Sequence, residues 1–89
     1  LRGLLVDRDG NLIVLHRFEG LRIYSRQTGR EIAFVRVPRL HNAFHMTWSE
    51  FDGGAIYIVH GKPLARKYVR VRLQTIHDAL AVASKAKGT

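Results

Sequence analysis

The 89-residue sequence has no cysteine, one methionine, one tryptophan and two prolines. Without cysteine there is no disulfide scaffold, no thiol nucleophile and no thiolate zinc site. No apolar run approaches the ~18–20 residues of a membrane-spanning helix, and the opening residues lack the basic-then-apolar order of a secretion signal. Acidic residues are scarce: Asp and Glu number 7 against 15 Lys and Arg, for a formal net charge of +8. A phosphate-cradling loop is missing as well, because Gly53-Gly54 is not followed by the Gly-Lys-Ser/Thr and helix start that a nucleotide site requires. A start at Leu1 in place of methionine reads as a piece cut from a longer chain.

What remains is a composition suited to folding. At 46% hydrophobic and 25% charged residues, residues 1–89 read as a single folded domain with a small core. Eleven arginines stand against four lysines. Arginine offers a planar fork that pairs with phosphate and stacks on flat rings, whereas lysine is a flexible point charge. The bias leans towards phosphate or base contacts; a genome rich in arginine codons would produce it too.

Residues 1–37 have the grammar of a strand meander. Leu4-Leu5-Val6 leads into Asp7-Arg8-Asp9-Gly10-Asn11, the chemistry of a tight turn, and the continuous apolar run 12–15 reads as a strand buried on both sides. Glu19-Gly20 and Thr28-Gly29 mark further turns, setting off strands over 21–25 and 31–37, the latter ended by Pro38. Further strands are expected over 44–49, 55–59 and 67–73, separated by Asp52-Gly53-Gly54 and Gly61-Lys62-Pro63. Thereafter the period changes. Ile76, Ala79, Leu80 and Ala83 recur at helical spacing, and Thr75 with Asp78 three residues on predicts a capped start to a helix over 75–87. The fold class expected is α+β: a meandering antiparallel sheet of about six or seven strands with one C-terminal helix packed on one face.

A weak internal repeat is present. Asp9-Gly10 and Asp52-Gly53 are 43 residues apart, and Leu12-Ile13-Val14 aligns with Ala55-Ile56-Tyr57. The stretch Asp9-Gly10-Asn11-Leu12-Ile13-Val14, with Gly20-Leu21-Arg22-Ile23-Tyr24 and Thr28-Gly29-Arg30-Glu31-Ile32, resembles one blade of the NHL or quinoprotein-like propellers. The resemblance covers about 30 residues. It implies a blade pair that acts as an interaction scaffold and closes a ring only by joining other copies or further chain.

Strand alternation assigns the cations to faces. Leu21 and Ile23 oppose Arg22, Tyr24 and Arg26; Val69, Val71 and Leu73 oppose Tyr68, Arg70 and Arg72. From Gly53 through His77 there is no acidic residue, and Lys62, Arg66, Lys67, Arg70 and Arg72 all fall there. A sheet with one face covered and the other open would hold phosphates on its arginines and stack bases on its tyrosines. The expected function is a non-catalytic nucleic-acid-binding module, with single-stranded DNA or RNA favoured because no recognition helix is evident. The expected contacts are Arg22, Tyr24, Arg26, Arg66, Lys67, Tyr68, Arg70 and Arg72, with no cofactor or metal and no membrane partner. Edge strands offer a route to a homo-oligomer, and the lack of cysteine suits the cytoplasm.

The five histidines raise a catalytic alternative. His41 and His45 are four apart, which brings imidazoles together on a helix and separates them on the strand that Phe44, Met46 and Trp48 indicate. His45-Met46-Thr47-Trp48 fits the His-hydrophobic-Thr-hydrophobic element of the two-histidine phosphoesterases, which need two such elements and about twice this length. A small ribonuclease using His45, His60 and Arg70 suits the size and charge better.

Overall fold

The computed structural model describes residues 3–88, the side chains of 52 and 86–88 excepted. Seven strands and one C-terminal helix form an α+β fold, with β1 (Leu4–Val6), β2 (Leu12–His16), β3 (Gly20–Tyr24), β4 (Glu31–Arg36), β5 (His45–Ser49), β6 (Ala55–Lys62), β7 (Ala65–Arg72) and α1 (Leu73–Gly88). Class, strand number and helix agree with the expectation. The strands are divided between two antiparallel sheets, ordered β1-β2-β3-β4 and β5-β6-β7.

Local chemistry accounts for the first sheet. The Asp7 carboxylate accepts hydrogen bonds from the backbone N–H of Asp9 and of Asn11, at 2.9 and 2.8 Å, tightening the β1–β2 turn. The Ser25 hydroxyl does the same for Gln27 and Thr28 between β3 and β4. Opposite Ile23 and Tyr24 the register skips Ile32, a bulge that keeps Glu31 on the face shared by Tyr24 and Arg22.

The inner faces of the two sheets share one core. Ile13, Leu15, Leu21, Ile23, Ala33, Val35 and Val37 of the first sheet side pack with Met46, Ile56, Ile58 and Val71 of the second. Helix α1 follows β7 without a linker and packs chiefly on β4, sending Ile76 into that core with Ala79, Leu80 and Ala83 beside it. The helix begins at Leu73, two residues before the expected start, so Thr75 lies within its first turn rather than capping it. The Leu73 N–H instead donates to the Gly54 carbonyl at 3.1 Å. No described helix is long and apolar enough to cross a membrane.

Candidate nucleic-acid interface

The outer face of the second sheet is built from three rows of three residues. Register aligns His45, Val59 and Tyr68; Thr47, Tyr57 and Arg70; and Ser49, Ala55 and Arg72. Alternation sends Met46, Ile58, Val69, Ile56 and Val71 to the other side, towards the core, with Trp48 on that side but open to solvent. None of the nine outer positions is acidic. The Tyr57 and Tyr68 rings lie 6.2 Å apart between centroids and are tilted by 42°, and Tyr68 is 72% exposed. Arg70 is directly opposite Tyr57, and Arg72 lies two positions along the same strand. The result is a pair of aromatic platforms bordered by guanidinium groups.

Beyond this face the β6–β7 hairpin projects as a ribbon. β5 pairs with β6 only as far as Val59, whereas the β6–β7 ladder continues to Lys62 opposite Ala65. Its two-residue turn, Pro63-Leu64, is exposed at the tip, Leu64 fully so, and Lys62, Arg66 and Lys67 flank it. The base of the ribbon is anchored. The Gly61 N–H donates to the His41 carbonyl at 2.7 Å, the His41 N–H donates to His60 Nδ1 at 3.3 Å, and the Arg66 guanidinium lies 3.8 Å over the Phe44 ring.

The structure separates the expected site residues into two groups. Tyr68, Arg70 and Arg72 share the outer face just described, and Arg66 and Lys67 belong to the ribbon, with Lys67 opposite His60 on the reverse side of the ladder. Arg22 and Tyr24 lie on the outer face of the first sheet, on the far side of the core, and Arg26 lies in the β3–β4 turn against Gly10. Arg22 is engaged there. It donates to Glu31 at 2.7 Å and to Glu19 at 2.5 Å and lies 4.8 Å over the Phe34 ring. The hydrogen bonds to Glu31 and then Glu19 hold its pKa above the ordinary arginine value. Tyr57 joins the interface without having been singled out from sequence, and His45, weighed there only as a catalytic candidate, joins it as well. The signal for both was available in the β5 and β6 alternation once those strands are placed beside β7.

Comparison with protein-family models, curated proteins and solved structures finds no significant match.

The geometry bears on the catalytic alternative too. His45 aligns with Val59, so His60, the next residue on that strand, points to the opposite side of the sheet. The two imidazoles therefore do not share a site. His60 Nδ1 is further occupied as an acceptor from the His41 backbone, which leaves Nε2 as the protonated nitrogen of the neutral ring. Among the described residues no group of histidine and carboxylate side chains is arranged to hold a metal ion.

Proposed function

We propose that this chain is a non-catalytic nucleic-acid-binding module whose contact surface is the outer face of the second sheet and the hairpin ribbon beyond it. The observation that carries the reading is the Tyr57–Tyr68 pair on a face that holds Arg70 and Arg72 and no acid. Each tyrosine offers a π-face on which an unpaired base stacks, while the exposed Arg72 guanidinium neutralises an adjoining phosphate. Arg66, Lys67 and Lys62 extend the cationic track along the ribbon. Single-stranded DNA or RNA is the favoured ligand, because stacking needs bases free of a duplex and the lone helix has Ile76 in the core. A cytoplasmic setting accompanies this reading.

A salt titration with labelled single-stranded and duplex oligonucleotides tests it. About four phosphate contacts on a single strand give a slope near −3 in log affinity against log salt, from roughly −0.7 per contact. Arg72→Ala is expected to reduce that slope by about 0.7, whereas Tyr68→Ala lowers affinity about tenfold at unchanged slope, as loss of one stacked base does. Arg26→Ala, on the first sheet side, leaves both unchanged. Binding that is indifferent to salt, absent at low salt, or untouched by the second-sheet substitutions overturns the proposal.

A second reading, a propeller-like blade pair serving as a scaffold, draws support from a different observation. A four-stranded meander shares its core with a three-stranded one, and α1 follows β7 at the point in the chain where a blade's fourth strand would come.

A further inference from the structure

The outer face of the first sheet is unlike that of the second. Its rows are Val6, Leu12, Tyr24 and Glu31, then Leu4, Val14, Arg22 and Phe34, with His16, Gly20 and the exposed Arg36 as a third row at one end. Four of its apolar side chains are open to solvent: Leu4 at 52%, Val6 at 62%, Leu12 at 36% and Phe34 at 38%. Val14, at the centre, is already buried by its neighbours. Solvated strand faces are normally polar, and a contiguous apolar one marks an interaction surface.

We infer that this face is covered by the same face of a second copy, giving a two-fold dimer held by sheet-on-sheet packing. Three features select that occupant. The first is surface area. A compact monomer of 10.2 kDa exposes about 5,300 Å², whereas this chain exposes 6316 Å². The excess of about 1,000 Å² is the size of one partner's share of a standard interface, roughly 800 Å². The projecting hairpin and scattered exposed side chains such as Phe18, Phe51 and Val82 take part of it, and the side chains of Leu4, Val6, Leu12 and Phe34, which lie together on this face, take another.

The second feature is charge. On a chain of net charge +8, association of like copies needs a face that is not itself cationic. Here two cations, Arg22 and Arg36, stand against two acids, Glu19 and Glu31, and Arg22 donates to both acids and lies 4.8 Å over the Phe34 ring, so the face carries no excess charge before any partner arrives. The third is complementarity. The other exposed sheet face, with His45, Thr47, Tyr57, Arg70 and Arg72, is polar and cationic and does not match an apolar partner, so a head-to-tail ring is disfavoured against a self-complementary pair. In the two-fold dimer both second sheets face outward, leaving the cationic faces open at opposite ends.

Sedimentation equilibrium of the 89-residue chain between about 5 and 200 µM tests this. The expected result is a mass rising with concentration towards twice 10.2 kDa. Leu12→Glu with Phe34→Glu is expected to return it to the monomer mass. Val6→Glu, on the edge strand, is the gentler second variant and should weaken the dimer at least tenfold with an unchanged thermal midpoint at low protein concentration. Tyr68→Ala with Arg72→Ala should leave the dimer intact, which separates this inference from the nucleic-acid reading. A constant monomer mass, a limiting mass of three copies, or a dimer that survives both first-sheet variants overturns it.

Discussion

A methyl group in place of hydrogen at Gly20 would bring Cβ to 2.2 Å from the Val35 carbonyl oxygen and 2.8 Å from the Val37 nitrogen, with φ at +142°. Both obstacles are backbone, of β4 and of the residue that follows it, so neither can turn aside. At Gly29, where φ is +73°, a Cβ would meet nothing within 4 Å. The two glycines thus share a positive φ and differ in what surrounds them. Gly20→Ala is expected to destabilise the fold by roughly 3 kcal/mol or more, because a strained backbone and a steric clash add. Gly29→Ala bears the left-handed conformation alone, about 1 kcal/mol. Urea denaturation of both variants checks the ordering; equal losses would mean that backbone conformation, and not the approach of β4, sets the requirement at Gly20.

Among the elements, the first four strands were the most legible, because each is punctuated by a residue that performs a visible task. Asp7 ties its own turn, Ser25 ties the next, and the run Ile13-Val14-Leu15 is buried on both sides because β2 is interior to its sheet. The division into two sheets was not legible. It depends on the 37–44 connection, where Arg39 and Asn42 adopt φ values of +64° and +50° without the glycine that would have signalled them. With a single sheet assumed, Arg22 and Tyr24 fell on the same face as Tyr68 and Arg70; with two sheets packed inner face to inner face they lie on opposite sides. The period makes the helix legible but not its start, since the chain passes from Arg72 of β7 directly into Leu73, whose N–H donates to the Gly54 carbonyl. What fastens α1 is Ile76. Removing its side chain beyond Cβ is expected to cost about 3 kcal/mol, within the usual range for a buried isoleucine, while Val82→Ala on the exposed side should be neutral or slightly stabilising. Thermal or urea unfolding of the two variants measures this, and comparable losses would show that the helix is held along its whole length rather than by one anchor.

At the scale of the whole molecule, charge is distributed unevenly over a body of 47 × 25 × 20 Å. Residues 3–37 hold six arginines against Asp7, Asp9, Glu19 and Glu31, whereas residues 55–72 hold Lys62, Arg66, Lys67, Arg70 and Arg72 and no acid. Two opposing electrostatic effects follow. The Arg22 pairs are surface contacts of small worth, and added salt weakens them. Crowding of Lys62, Arg66, Lys67 and Arg72 along two adjacent strands is repulsive, and added salt relieves it, since the screening length shortens from about 30 Å at 0.01 M to about 8 Å at 0.15 M. Repulsion among Lys62, Arg66, Lys67 and Arg72 involves more charges than the Arg22 pairs and is reinforced by the net charge of +8, so it dominates. The thermal midpoint is therefore expected to rise by several degrees as sodium chloride increases from 10 to about 200 mM, a small domain gaining about 4–8 °C per kcal/mol. Arg72→Gln should raise the midpoint at low salt and flatten the dependence, because it removes one member of the repelling set. Calorimetry at a fixed, low protein concentration isolates this from association. A midpoint that falls with salt would reverse the order of the two effects and place the stabilising electrostatics in the Arg22 cluster of the first sheet.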